Sequence, residues 1–551
     1  MLWGFSGTHE KETQPKATSL EPHEARSSPH VSTLTTHLKS QMNFILAFIP
    51  IALILVLMVG FRWGAARSGG VGYLSALAIA ILFFGAGAGL LAYSHSKALL
   101  LTVDVLFVIW AAFLLYRVAD EAGAITTIGQ SLPHLTADKG MQALIIGWVF
   151  ASFLQGVGGF GVPVAVIAPI LVGLGFSPLQ AVVIPSLGHG WAVTFGSLGS
   201  SFIALMASTG LPAEVLAPPA ALFLSLVGPV SGFFVAHAAD GWQAMRRLAV
   251  PILVLGFAMS LTQFLVATSG LWNIAAFCAG MVGLLVSIPL ARRYHGQDIQ
   301  NGSLDRRALV IAVSGYVALI AVTLGVQFIP EIRAFLGQVI LQVDFPEVET
   351  VLGYITPAGP GRNIAPFRHA GAILTVSSLI AYLIYRRAGL YEKGAPKRII
   401  SGMVKRVMSS SVSIASMVAM AVIMQNSGMT DTLARGLANS MGWAYPIIAP
   451  WIGALGAFMT GSNTNSNVVF GALQLRTAQL LGYTAAIILG AQTAGAALAS
   501  ILAPTKIVVG ASTAGMAGKE GDVLRKLLAY TAVLLILISF LAMLSVWLGL
   551  W

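Results

Sequence analysis

Two polar, glycine-rich stretches interrupt long apolar runs in this chain. The first reads Phe153-Leu-Gln-Gly-Val-Gly-Gly-Phe-Gly-Val-Pro163 and supplies Gln155, Gly156, Gly158, Gly159 and Gly161. The second reads Phe458-Met-Thr-Gly-Ser-Asn-Thr-Asn-Ser-Asn467 and supplies Ser462, Asn463, Thr464, Asn465 and Asn467. A helix that starts at such a break presents free N–H groups and the positive end of its dipole, which suits a small anion such as a carboxylate. Hydroxyl and amide side chains add donors, and their oxygens, with unwound carbonyls, also suit a cation. Ser462, Asn463 and Thr464 are therefore read as a sodium site, and the two stretches as fitting substrate binding, cation binding or both.

A few ionisable and polar residues lie deep in other apolar runs, where a charge is expensive and by default functional. His189, in Ser186-Leu-Gly-His-Gly-Trp191, is a candidate proton carrier because its ordinary pKa is near 6.5. Lys506, just past Pro504, is a candidate partner for a substrate carboxylate, against the plainer reading of a lysine reaching to the interface. Asp104 is a candidate for pairing, sodium ligation or proton carriage. Gln492, with Thr493, is a further coupling candidate, and Ser197, Ser200 and Ser201 either line a pathway or pack helices.

The elements that position these residues are membrane helices. Of 551 residues 57% are hydrophobic and 9% charged, with a mean hydropathy of +0.84, far from the roughly 25% charged residues of a soluble domain. Runs of about 20 apolar residues, each long enough to span a bilayer, recur from Met42 to the C-terminal region, giving about 12 to 14 spans. A net charge of +11 raises the question of nucleic acid, but Lys and Arg cluster in short loops. These are Arg62 and Arg67, Arg246 and Arg247, Arg292 to Arg307, and Arg386 to Arg406. That is the positive-inside pattern of cytoplasmic loops, and it places both termini outside a plasma (cell inner) membrane. The implied surroundings are a lipid bilayer and a small organic anion, with no nucleic acid; a homo-oligomer is compatible with the pattern.

Residues 1–41 read as a disordered tail without a signal-peptide pattern, and 42–551 as one transmembrane transporter domain. The single cysteine, Cys278, reads as a small buried hydrophobe. Gly156, Gly158 and Gly161 formally match G-x-G-x-x-G, but they follow an apolar helix and no acidic residue lies about 20 positions on, so a dinucleotide site is excluded.

The halves of the domain repeat each other. Phe153-Leu-Gln-Gly156 parallels Phe458-Met-Thr-Gly461 at an offset of 305 residues, and Leu174-Gly-Phe-Ser177 parallels Leu481-Gly-Tyr-Thr484 at 307. Gly188 falls 307 residues before Gly495. Repeat 1 centres on 142–208 and repeat 2 on 446–517. Scattered glycines are explained by close helix packing, but matched polar clusters are not. Inverted repeats of broken helices with a site near the midplane mark secondary transporters. The fold class expected is an all-α polytopic membrane protein with two inverted repeats and re-entrant hairpins.

At these residues the chain resembles the lactate permease family. The likeness is sharpest at 151–165, 171–176, Phe195-Gly196, 460–467 and Gly518-Lys-Glu-Gly-Asp522, and covers most of the chain after the tail. The resemblance implies proton-coupled uptake of lactate, glycolate and related 2-hydroxy monocarboxylates, and Ser462-Asn-Thr464 resembles the hairpin tips of a wider ion transporter superfamily. The chain departs from the family's pattern at Gln155 and Asn463, where relatives carry carboxylates, and at His189 and Lys506, which replace uncharged polar residues. The expected activity is symport of such an anion with H+ or Na+, with no resident cofactor and no enzyme chemistry. A passive anion-selective channel, or a transporter of a different carboxylate or anion, is the alternative.

Overall fold

The computed structural model describes residues 29–159, 161–294, 305–359 and 365–551, with side chains from Gln41 onward. In chain order the helices begin with α1 (Pro29–Leu55), α2 (Ala65–Phe83), α3 (Ala88–Glu121), α4 (Ala124–Ser131), α5 (Lys139–Gln142), α6 (Ala151–Val157), α7 (Val162–Gly173) and α8 (Pro178–Gly190). They continue as α9 (Ser200–Thr209), α10 (Ala213–Arg247), α11 (Ala249–Val266), α12 (Ala275–Arg293), α13 (Arg306–Phe328), α14 (Pro330–Leu336), α15 (Ala370–Arg387) and α16 (Ala395–Asn426). The last are α17 (Met429–Met441), α18 (Tyr445–Thr460), α19 (Asn463–Leu481), α20 (Ala485–Ala499), α21 (Pro504–Thr513) and α22 (Glu520–Trp547). A small antiparallel pair, β1 (Val348–Glu349) and β2 (Ile355–Thr356), registers Val348 with Thr356. The tail expected over 1–41 lies outside the described residues as far as 28, and from Pro29 the chain is already in α1.

Among the described residues twelve segments are helical, long and apolar enough to cross a membrane, and two shorter apolar helices, Val162–Gly173 and Ser197–Thr209, accompany them. This is a multi-pass membrane protein. Helices dominate because within a bilayer every backbone polar group must be satisfied inside its own segment. Local chemistry sets their ends: α8 starts at a Ser177/Gln180 capping box with Pro178 in its first turn, and Gly482 ends α19 in the left-handed conformation.

Burial separates the centre from the lipid face. The span Lys139–Val157, in which a π-helical stretch joins α5 to α6, is 100% buried, and Ala485–Leu502 is 94% buried, whereas Gln41–Gly60 is only 22% buried. One central span comes from each repeat. Small residues allow the close approach: a Cβ on Gly188 would lie 1.9 Å from the Gly147 carbonyl oxygen, and one on Gly495 would lie 2.0 Å from that of Pro450. The 307-residue register is therefore a packing register as well.

The repeats are inverted. Lys139 reaches the Gly175 carbonyl at 3.3 Å, Arg247 pairs with Asp138, and Gln180 donates to Ala239 O at 2.8 Å. The base of the first hairpin, α5/α6 with α7, thus lies beside the basic end of α10. Tyr530, early in α22, meets His237 near that same end at 2.7 Å, while Ser539, later in α22, donates to Ile447 O at 2.8 Å. Thr484 contacts the Trp551 carbonyl at 3.3 Å. The base of the second hairpin, α18 with α19, therefore lies at the opposite end, and the two hairpins enter the protein from opposite sides.

Candidate functional site

Tip 2 forms where Gly461 turns left-handed (φ +71°) and Ser462 caps α19, its Oγ accepting from Asn465 N at 3.3 Å. The first N–H groups of α19 have no acceptor within the helix, so Asn463 and Thr464 offer backbone donors as well as side chains. Asn463 Nδ2 donates to Thr194 Oγ1 at 3.0 Å, and Thr194 Oγ1 lies 3.1 Å from both Thr493 O and Thr493 Oγ1. Asn467 Nδ2 donates to Thr493 Oγ1 and to Ser201 O, each at 2.9 Å. Ser201 Oγ and Thr464 Oγ1 are 3.1 Å apart, and Asn465 Nδ2 donates to Ser413 Oγ of α16 at 3.0 Å. Tip 2 is thereby tied to the segment of repeat 1 between α8 and α9.

Tip 1 turns through two left-handed glycines, Gly159 (φ +55°) and Gly161 (φ +84°), before α7 begins. Gln155 is buried, and a Cβ on Gly196 would lie 2.8 Å from its Nε2, while one on Gly159 would lie 1.7 Å from Ser197 Oγ. Only glycine fits at these two positions. The same break between α8 and α9 holds Ser197 and Leu198 at φ +47° and +54°, costly for residues with a Cβ and both buried. Strain of this kind persists where the surroundings over-determine it, and functional sites are where it collects.

The matching break in repeat 2, between α20 and α21, lies against both tips. A Cβ on Gly161 would be 3.8 Å from Lys506 Cγ, and one on Gly461 would be 3.0 Å from Thr505 Oγ1. Lys506 Nζ donates to Ser500 Oγ at 3.2 Å. The lysine stem therefore stands beside the N-terminus of α7 and its neighbour Thr505 beside that of α19, an arrangement suited to a carboxylate.

Several buried acceptors in this centre receive no hydrogen bond from the described residues: Gln155 Oε1, Asn463 Oδ1, Asn465 Oδ1, Asn467 Oδ1 and His189 Nε2. Each such group costs about 1–3 kcal/mol when buried unpaired, and a bound cation or a ligand hydroxyl would satisfy it. The oxygens of Ser462, Asn463 and Thr464 fit a hard cation by type. His189 Nδ1 is 2.7 Å from Pro185 O, which fixes its proton there and leaves Nε2 as a lone pair in the neutral ring.

Gln155, Gly156, Gly158, Gly159, Gly161, Ser462, Asn463, Thr464, Asn465, Asn467 and Lys506 all lie at the tips or beside them. Within that group Gly156 has a packing role, since a Cβ there would lie 2.5 Å from Phe277 Cα in α12. Two coupling candidates are placed differently. Gln492 accepts from Gln474 Nε2 at 2.9 Å and donates to Ser466 Oγ at 3.1 Å, in a chain that Tyr445 OH closes on Gln474 at 2.6 Å. Both its amide atoms are hydrogen-bonded within the second repeat, where they hold α18, α19 and α20 together, and neither reaches the tip residues Asn463 or Thr464. Asp104 is bound by His369 Nε2 at 2.8 Å, joining α3 to the start of α15 rather than joining the tips. Sequence reasoning missed Thr194, Gln474 and Ser413; a lone hydroxyl or amide in an apolar run was the only signal, and it does not say which element lies opposite.

Known proteins align with this sequence. A family model described as L-lactate permease matches residues 43–549. An L-lactate permease of Escherichia coli (strain K12) is 25% identical over 480 residues, covering 81% of this chain and 85% of that protein. An L-lactate permease of Streptococcus iniae is 28% identical, covering 79% of this chain and 91% of that protein. The glycolate permease GlcA of Escherichia coli (strain K12) is 25% identical, covering 92% and 96%. With the match running through both hairpins and both broken segments, this chain belongs to the L-lactate permease family.

Proposed function

We propose that this protein is a secondary active transporter that carries a small 2-hydroxy monocarboxylate, lactate or glycolate, in symport with a cation. The observation that carries this reading is the meeting of two oppositely inserted hairpin tips with each other's broken spans, Asn463 on Thr194 at 3.0 Å and Lys506 beside Gly161. A site built at the seam of inverted repeats is reached from either side as one repeat rocks against the other. The names of the relatives supply the substrate class.

In this reading the carboxylate sits on the N-termini of α7 and α19 with Lys506 as counter-charge, and the 2-hydroxyl donates to amide oxygens among Gln155, Asn463, Asn465 and Asn467. Two coupling ions each have an observation behind them: a proton on His189 Nε2, and sodium on the oxygens of Ser462, Asn463 and Thr464. The basic loops face the cytoplasm of a cell inner membrane, which puts both termini outside.

Uptake of labelled L-lactate and glycolate into proteoliposomes under an imposed proton or sodium gradient tests the proposal. Accumulation above the external concentration excludes a passive channel. No uptake above protein-free vesicles under either gradient overturns the transporter reading. Gln155→Glu and Asn463→Asp separate the ions: proton dependence that appears only in these variants assigns sodium to the native protein, and native proton dependence lost in His189→Asn assigns the proton.

A further inference from the structure

A cavity of about 600 Å³ lies apart from the tips, between α3 and α16 on one wall and α9 and α19 on the other, with Phe345 closing part of it. Lys97 is the one charged side chain among its described lining residues. Its Nζ sits 5.8 Å from the centroid of the Tyr93 ring, and among the described residues no carboxylate pairs with it. Ser208, Thr209 and Gln425 add hydroxyl and amide groups, and the rest of the wall is apolar.

The cavity adjoins the tip 2 network directly. Ser208 Oγ donates to Asn467 O at 2.9 Å, and Val468, the next residue of α19, lines the cavity. On the other wall Val418 lines it, five residues beyond Ser413, which holds Asn465; five residues of helix rise about 7.5 Å. The cavity also lies at the end away from the basic loops. α3 runs from Ala88 to Glu121, and Glu121 pairs at 2.5 Å with Arg398 of the basic stretch, so Lys97 occupies the opposite half of the helix.

We propose that this cavity is an entry subsite for the monocarboxylate, with Lys97 as the cation that draws the anion in before it passes to the tips. This rests on the transporter reading, and it adds a second binding position on the side from which uptake begins. One cation among the described lining residues, with no carboxylate among them, matches a singly charged acid better than a dicarboxylate. The hydroxyl hydrogens of Ser208 and Thr209 go to Asn467 O and Leu205 O, so their oxygens are left to accept from the 2-hydroxyl of the acid, and the apolar wall suits its methyl group. A charge placed along an approach path raises local anion concentration, and the effect weakens with salt.

Initial rates of L-lactate uptake are measured in proteoliposomes for the wild type, Lys97→Gln and Lys97→Arg. Lys97→Gln is expected to raise KM about tenfold, the value of one lost charge-assisted contact, with the maximal rate little changed and with Lys97→Arg restoring most of the loss. Separately, Thr209→Cys in a Cys278→Ala background is labelled with a membrane-impermeant thiol reagent, and L-lactate is expected to slow the labelling. An unchanged KM in Lys97→Gln, or labelling that lactate does not slow, overturns the subsite. If Lys97→Gln does not fold, the labelling result decides alone. Failure of wild-type uptake sinks the transporter reading instead, and the labelling experiment still reports whether the cavity takes the anion.

Discussion

Thr194 is the sharpest test of how the two repeats are joined. Its hydroxyl has one hydrogen, which it gives to Thr493 O at 3.1 Å, while its oxygen accepts from Asn463 Nδ2 at 3.0 Å. Thr194→Val keeps the shape and removes both bonds. Asn463 Nδ2 then has only Thr493 Oγ1, 3.5 Å away, which is at the limit of a hydrogen bond. A buried donor left unpaired costs about 1–3 kcal/mol, and interhelical hydrogen bonds in membranes have measured at about 0.6–1.7 kcal/mol. Thr194→Val should therefore lose about 2 kcal/mol in stability. Asn463→Ala removes the stranded amide, so the double variant should be less damaged than the sum of the singles by about 1–1.5 kcal/mol. Unfolding by SDS titration in mixed micelles measures all four proteins. Additivity within about 0.3 kcal/mol would mean that Asn463 is not held by Thr194, and the account of tip 2 fails.

Three further outcomes follow from the packing and the ion pairs. Gly188→Ala and Gly495→Ala should each destabilise by about 2 kcal/mol or more, because the new Cβ meets backbone at 1.9 and 2.0 Å, while Gly173→Ala, with nothing within 4 Å, should be near neutral in the same detergent melt. Tyr445→Phe removes the 2.6 Å bond to Gln474 and should cost about 1 kcal/mol; a wild-type melting temperature contradicts the structural role given to Gln474 and Gln492. Burial alone would raise the Asp138 pKa, but hydrogen bonds from Arg247 and the Met141 N–H outweigh it and hold the carboxyl below its ordinary value. A lowered folded pKa gives stability that is present above the unfolded value near 3.9 and lost as pH falls through the folded one. Asp138→Asn should accordingly cost up to about 1 kcal/mol at pH 7, discounted because Arg247 is 43% exposed, and less at an acid pH where the folded carboxyl is protonated. An equal cost at both pH values would show that the charge is irrelevant.

Much of this architecture is written along the chain. Apolar runs of spanning length, with Lys and Arg confined to short loops, specify a polytopic helical protein because each span satisfies its own backbone. Glycine and amide clusters mark the two breaks, since helix cannot continue through Gly158-Gly159 and Gly461-Ser462 without loss. The offsets of 305 and 307 residues expose the duplication, because both copies keep the same order of helix, tip, helix and turn. Even the close helix contact at Gly188 and Gly495 is announced by residues too small to serve any other purpose there.

What the chain alone leaves open is which side chain meets which. Thr194 and Asn463 are 269 residues apart, and Ser201 and Thr464 are 263 apart. A 3.6-residue period says which face of a helix is polar, but not which partner that face will find. For that reason the chain alone does not show that Gln474 and Ser466 close on Gln492, or that Asp104 answers to His369. Lys97 gave no signal at all, because a lysine near a helix end is ordinary until its own helix and three distant ones leave a chamber around it. Sequence by itself determined the spans, the breaks and the repeat, all of which arise from local satisfaction of the backbone. Tertiary structure decided the pairing of tips with broken segments and the place of each charge, because those depend on contacts between residues hundreds of positions apart.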